Sequence, residues 1–297
     1  MSMDSDIRDI KSALTDNKRS MTEMQRELQS IKNDLKKVQE NTCKEKTRDT
    51  VDNNLHPLIA YAKRQLDARK QKVNLIENHP ELDAFISPLG EYPHAYVLAC
   101  IMDRQISAEN AWIIPHNIYE AIGSFEMTDL KKLSEEDTIS LFLKTSKHRY
   151  KEKMAKYFFS AVQRIANEYH SDAREIWNDE PPSGMLICRF LQFGGVGIKI
   201  ATMATNILVR QFDVKLKDKS SIDVSPDIHV MRIFYRLGLI SSENAKDEAI
   251  YMARALYPEY PGIVDYSCWD VGRNFCHSKT PDCSSCPFNS FCENKGK

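Results

Sequence analysis

Long hydrophobic runs are missing from this 297-residue sequence: none approaches the roughly 20 apolar residues that a bilayer-crossing helix needs. The opening MSMDSDIRDIKS also lacks the apolar stretch of a secretory signal. Together these absences point away from a membrane partner and lead us to expect a soluble protein, cytoplasmic, or nuclear if the source is eukaryotic. An excess of one charge is missing too, because 41 Lys and Arg face 42 Asp and Glu, a formal net charge of -1. That balance neither advertises nor excludes a nucleic-acid partner, since only the local arrangement of charge makes a binding surface. Convincing strands are scarce as well. What remains is 42% apolar residues, enough to bury the core of one or two helical domains.

From Ile7 to Val38 a seven-residue repeat holds, with Ile7, Leu14, Met21, Leu28 and Leu35 at one seam position and Ile10, Asn17, Met24, Ile31 and Val38 at the other. All of these but Asn17 are apolar. Asp6 to Lys11 and Glu27 to Lys32 have the spacing of interhelical ion pairs. The expectation is a coiled coil that makes the protein a homo-oligomer through residues 7–38; a single amphipathic helix lying on the protein body is the alternative. A polar stretch, NTCKEKTRDTVDNN at 41–54, follows without apolar period and reads as a linker.

Beyond it, apolar residues recur at helical spacing in 94–102, 153–169 and 230–239, divided by loops such as NDEPPSG at 178–184. The body is expected to be all-α. Acidic starts at Asp129 to Glu136 and Ser241 to Glu248 read as helix caps.

Two stretches carry chemistry. FGGVGIKIA at 193–201 packs three glycines and a lysine between helical segments. A glycine inside a helix costs roughly 1 kcal/mol relative to alanine, so the three together mark a turn. The tail, CHSKTPDCSSCPFNSFC, spaces Cys276, Cys283, Cys286 and Cys292 by six, two and five residues. Structural zinc usually takes two short cysteine pairs, whereas one C-x-x-C with wider flanks suits four-thiolate ligation of an iron-sulfur cluster.

That spacing resembles the C-terminal cluster loop of the endonuclease III family of DNA glycosylases, which holds a 4Fe-4S cluster. The likeness extends to that family's hairpin, L-P-G-V-G-x-K-T-A, matched here by FGGVGIKIA, and to its D-x-H-x-x-R, matched by DIHVMR at 227–232. The order of the motifs agrees, and the resemblance covers roughly residues 80 to 297. It implies a two-lobed helix-hairpin-helix fold with a C-terminal cluster loop, here preceded by the N-terminal coiled-coil helix. The expected division is 1–50 for helix and linker, 94–212 for a helical barrel with the hairpin, and 51–93 plus 213–297 for a discontinuous lobe with the cluster.

Double-stranded DNA with a damaged or modified base is the implied partner. Gly195, Val196 and Gly197 would expose backbone N–H groups to a phosphate, gripping DNA without reading sequence. Lys199 matches the family's catalytic lysine and starts a helix, where the dipole disfavours a second positive charge; an uncharged amine is a nucleophile. Asp227 matches the catalytic aspartate, able to stabilise a cationic sugar and to accept a proton; helix capping is its alternative role, and Asp223 its competitor. Family members restricted to base removal generally lack the lysine. The pair therefore implies base excision, oxidised pyrimidine foremost, with β-elimination at the abasic (AP) site through a lysine Schiff base.

Gln105, in MDRQISAEN, falls where the family has a glutamine that fills the gap of an extruded base. Lys147 and Arg149, in the basic run KTSKHRYKEKMAK, lie where the opposite strand is contacted. The chain departs from the pattern at Gly194, where proline is usual, at Ile200, and in QFDVKLKDKSS, a longer passage toward Asp227. Rival readings are a glycosylase for another modified base without efficient strand cleavage and a nonenzymatic DNA-binding protein multimerised by the coiled coil.

Overall fold

Proline stands at the first position of α1 (Pro57–Ala68), α2 (Pro80–Phe85) and α3 (Pro93–Met102), where its missing N–H has no helical acceptor to lose. The computed structural model describes residues 56–68 and 80–293, with residues 26, 27, 29, 30 and 32 nearer the N-terminus. The chain divides into two units, Met1–His56 and Pro57–Lys297. In the first, Arg26, Glu27, Gln29, Ser30 and Lys32 are helical and exposed. The seam positions expected between residues 7 and 38, and the linker at 41–54, lie outside the described residues.

The second unit continues with α4 (Ala108–Trp112), α5 (Ile114–Ile122), α6 (Met127–Leu130), α7 (Glu135–Thr145), α8 (Lys151–Glu168), α9 (Ser183–Leu191), α10 (Ile198–Phe212), α11 (Ile228–Arg236), α12 (Lys246–Leu256) and α13 (Asp265–Asn274). No strand occurs among the described residues, and no helix there is long and apolar enough to cross a membrane. The all-α expectation holds. The first acidic start acts as a cap, with Ser134 and Asp137 forming a reciprocal capping box on α7; the second does not, since the N-cap of α12 is Ala245, and Glu248 instead accepts hydrogen bonds from the Ser241 N–H and hydroxyl.

Helical periodicity sends apolar side chains into two cores. The first gathers all of α3, whose ten residues are each buried, with Phe142, Phe158, Trp177, Phe190 and the inner face of α10. The second joins Leu58, Ile59 and Ala62 of α1 to Val209, Ile222, Phe234, Val264, Val271 and Phe288. Leu82 and Ile86 belong to the first core, because Phe85 packs with Tyr92, Tyr119 and Phe125. Packing thus sets Leu82, Phe85, Ile86 and Tyr92 with the first core.

One helix serves both cores. α10 buries Ala201, Ala204 and Leu208 in the first and Val209 in the second. The Tyr96 hydroxyl on α3 donates to the Ala204 carbonyl at 2.7 Å, which fixes the helix's height. At its far end Asp213 takes a left-handed conformation at φ 52°, and its N–H closes the helix on Leu208 O. The helix is therefore held at its middle and at its C-terminal end.

Candidate active site

The turn from α9 to α10 spans residues 192–197 and rests on the ring of Tyr157, supplied by α8. Gly195 sits at φ +84°, and a Cβ there would lie 2.5 Å from that ring. No other residue fits both conditions. At Gly194 a Cβ would meet the same ring at 3.2 Å, which accounts for the departure from proline: Tyr157 fills the space a pyrrolidine would need. Val196 packs against the first core, and its N–H closes the turn on Phe193 O at 3.1 Å.

Gly197 differs from these. It caps α10 with no side chain, and a Cβ there would meet nothing within 4 Å. The N–H groups of Gly195, Gly197 and Ile198 find no acceptor among the described residues. Open space thus lies beside a row of unsatisfied donors at a helix N-terminus.

The loop after α3 is tied to this turn. Arg104 donates to Gly195 O at 2.9 Å, and buried His148 bonds Arg104 O at 2.9 Å through Nε2. Between them Gln105 is exposed at φ +56°, a left-handed conformation that glutamine rarely adopts. Arg149 stacks on Tyr150 and donates to Gln105 Oε1 at 3.3 Å. The fold therefore gathers Gln105, Arg149, Gly195, Val196 and Gly197 on one surface. Lys147 is exposed on the same stretch as Arg149 and makes no hydrogen bond or ion pair among the described residues.

Lys199 is exposed at the second position of α10. Asp227 caps α11: its Oδ1 accepts the N–H groups of His229 at 2.9 Å and Val230 at 2.8 Å, leaving Oδ2 without a protein partner among the described residues. Capping and an open oxygen coexist in one carboxylate. Its competitor Asp223 is taken up by Arg254 through two hydrogen bonds of 2.6 and 2.7 Å.

Half-buried Asp103, the residue that ends α3, connects the pair. Burial pushes its pKa up, the charge of Lys199 draws it down and that of Asp227 raises it again, so both groups lie within electrostatic reach of this carboxylate. Sequence reading passed over Asp103, Arg104 and Tyr157. Their only signal was position beside Gln105 or within a helix.

Beneath Asp227 lies Asp265, half-buried at the start of α13. It accepts the Ser225 N–H at 2.8 Å and Asn206 Nδ2 at 3.0 Å, binding the strap before Asp227 to α10. Desolvation raises its pKa to about 7. Between pH of about 4 and about 7 the unfolded chain releases a proton that the folded chain retains, so unfolding free energy falls as pH rises, by up to about 4 kcal/mol, and levels off above. Buried His94, lowered to about 4, acts in the opposite sense below pH 6.5. The difference between wild type and Asp265→Asn isolates the carboxylate: urea unfolding should show wild type losing stability relative to the variant from pH 5 to pH 8.

The cysteine tail folds onto α11 and α13. Cys276, Cys286 and Cys292 pack against the second core with buried Phe288. Burial pushes the Cys286 thiol up, and the charges of Cys276, Cys292 and Cys283 push it further, so the other three lie within electrostatic reach of Cys286. Arg236 donates to Cys276 Sγ at 3.1 Å, and its carbonyl accepts from Cys292 Sγ at 3.4 Å. Among the described residues no three His, Cys, Asp or Glu side chains converge tightly enough to hold a single metal ion.

No known family profile matches the chain, and no curated protein matches it in sequence. Solved structures do resemble it. An endonuclease III trapped as a covalent intermediate with DNA aligns with TM-score 0.53 and 15% identity over 80% of this chain and 95% of that one. A non-covalent endonuclease III–DNA complex gives 0.52 and 16% over 80% and 95%. A thermostable thymine-DNA glycosylase gives 0.53 and 14%, covering 80% of this chain and 96% of its own. The chain has the helical fold of endonuclease III and of this thymine-DNA glycosylase.

Proposed function

We propose that this protein is a DNA glycosylase with abasic-site lyase activity, acting on duplex DNA that carries a damaged or modified pyrimidine. The observation that carries the reading is an exposed Lys199 just past a hairpin of unsatisfied N–H groups, together with Asp227, whose Oδ2 has no partner among the described residues. A nonenzymatic DNA-binding module needs the hairpin but neither of these side chains.

The unsatisfied donors of the hairpin bind a backbone phosphate. Gln105, displayed on its loop, fills the gap left when the target base is extruded. The Lys199 amine then attacks the sugar C1′: an N–C1′ bond forms while the C1′–base bond breaks, its electron pair leaving with the base. Asp227 faces the cationic sugar with its open Oδ2. Ring opening gives the Schiff base, and loss of a C2′ proton expels the 3′ phosphate by β-elimination.

The four tail cysteines suit a 4Fe-4S cluster better than zinc. One tetrahedral ion at about 2.3 Å from each sulfur needs the thiolates drawn tightly together, and they are not. Arg232 and Arg236 are both buried, and their partners are carbonyls, a ring nitrogen and a thiol, with no carboxylate among the described residues. Two buried cations match the net negative charge of a four-thiolate cluster. When bound, the cluster staples the tail to α11 and α13. Protein purified anaerobically should be brown with about four irons per chain, and Cys286→Ala should lose the iron; stoichiometric zinc in a colourless preparation would overturn this.

Two glycine variants separate folding from DNA contact. Gly195→Ala should lower unfolding free energy by about 2–3 kcal/mol, since it forces both a left-handed alanine and a shifted Tyr157. Gly197→Ala should cost about 1 kcal/mol or less but weaken DNA binding about tenfold, because its methyl enters the open space beside the donors. Urea unfolding and fluorescence anisotropy check the pair.

A set of duplexes, each with one altered base, assayed separately for base release and strand scission, tests the proposed activity. Release of at least one pyrimidine followed by scission is expected; no release from any duplex would refute it.

A further inference from the structure

A cation that the reaction above leaves unused stands beside the hairpin. Half-buried Arg104 donates through Nη1 to Gly195 O at 2.9 Å. The N–H of Gly195 itself finds no acceptor among the described residues, so the guanidinium and the row of open donors meet at a single residue. A guanidinium presents five N–H donors in a rigid fork. Arg104 has a hydrogen bond on one arm of its fork, and no carboxylate pairs with it among the described residues. Arg164 also reaches the turn, at Gln192 O, but Glu168 Oε2 holds it at 2.6 Å and Gln192 Oε1 at 2.9 Å, so its charge is already met. Arg149 faces the Tyr150 ring and Gln105 rather than the hairpin.

The main chain of Arg104 is fixed as firmly as its side chain. Its N–H closes on Met102 O at 2.7 Å, and its carbonyl meets Nε2 of buried His148 at 2.9 Å. The tautomer of that ring follows from its other nitrogen. Nδ1 accepts the Tyr150 N–H at 3.0 Å, so the ring proton is on Nε2 and is donated to Arg104. The His148 N–H is held in turn by Ser146 Oγ at 3.0 Å. An arginine that is mobile before binding loses side-chain freedom when it grips a ligand; Arg104 has lost that freedom on folding, which removes the penalty from the binding step. Backbone N–H groups orient a phosphate without cancelling its charge, and a guanidinium beside them cancels it with matching geometry.

We infer that Arg104 is a phosphate-binding residue, the cationic part of the hairpin's grip on the DNA backbone, held ready by Gly195 O and His148. The N–H groups of Gly195, Gly197 and Ile198 set the direction of the phosphate, and the open arm of the Arg104 fork neutralises it. Because Arg104 directly precedes Gln105, the same contact anchors the loop that carries the gap-filling side chain to the strand being opened. This assignment rests on the reading of the hairpin as a DNA grip, and its test separates the two.

The test is fluorescence anisotropy of a duplex with a tetrahydrofuran abasic analogue, titrated with wild type, Arg104→Gln, Arg104→Lys and Gly197→Ala from about 50 to about 200 mM KCl. Each neutralised phosphate contributes about 0.9 to the slope of log K against log salt. Arg104→Gln keeps an N–H for Gly195 O but loses the charge, so its slope should be shallower than that of wild type by about 0.9. Its deficit should then be about tenfold at the lowest salt and only about threefold at the highest. Arg104→Lys should restore the wild-type slope, and Gly197→Ala, which changes no charge, should bind more weakly with the slope unaltered. Arg104→Met gives the same slope comparison if the glutamine variant fails to fold. A neutral variant that binds as wild type does, a deficit that is constant across salt, or a lysine variant as shallow as glutamine overturns the role of Arg104 while leaving the hairpin as a DNA grip. A wild type that does not bind the duplex overturns both.

Discussion

Lys199→Gln is expected to abolish strand scission at a preformed abasic site, by at least about 10³-fold, while leaving the protein as stable as before or slightly more so. The size follows from removing a nucleophile, which leaves only binding and charge stabilisation behind. The stability follows from where the side chain sits. Lys199 is exposed at the second position of α10 and its amine bonds nothing among the described residues, so no packing is lost. A positive charge at a helix N-terminus is unfavourable by about 0.3–1 kcal/mol, and glutamine removes it. Single-turnover scission of an abasic duplex and urea unfolding measure the two together. Parallel loss of activity and stability would instead make Lys199 a structural residue.

Asp227→Asn is the second large effect. Base release should fall by about 10²–10⁴-fold, since a neutral amide cannot face the developing cation as a carboxylate does. The fold should scarcely register the change, because asparagine caps helices about as well as aspartate and can accept the same N–H groups of His229 and Val230. Asp227→Ala should lose the activity and, in addition, about 1 kcal/mol of stability with the cap. That ordering, with both variants inactive and only alanine destabilised, separates charge from capping at one position. Unfolding curves and base-release assays on the same preparations check it.

Much of this was legible in the sequence for reasons of period. Apolar residues at helical spacing in 94–102, 153–169 and 230–239 become α3, α8 and α11 because burial on one side enforces that period. The hairpin announced itself through glycine, which marks turns wherever it clusters, and the left-handed Gly195 bears that out. What stayed hidden is tertiary. Nothing local to Tyr157 says that its ring will lie under residues 194 and 195, so the missing proline had no explanation until α8 was in place. Asp223 and Asp227 are four residues apart and look alike in sequence, yet Arg254, from α12, claims the first. Asp103 stood two residues from Gln105 but drew no notice, since its significance depends on Lys199 and Asp227 arriving from other helices. The place of Phe85 is tertiary too, since its aromatic neighbours Tyr119 and Phe125 come from α5 and the loop after it.

The central question is whether a covalent bond forms between Lys199 and the sugar. Incubating the full-length wild-type protein with an abasic-site duplex and borohydride, then digesting the product and mapping the modified peptide, addresses it directly. One stoichiometric adduct carried by Lys199, and absent from Lys199→Gln, is the expected result. No adduct, or an adduct carried by any other lysine and persisting in the variant, would contradict it.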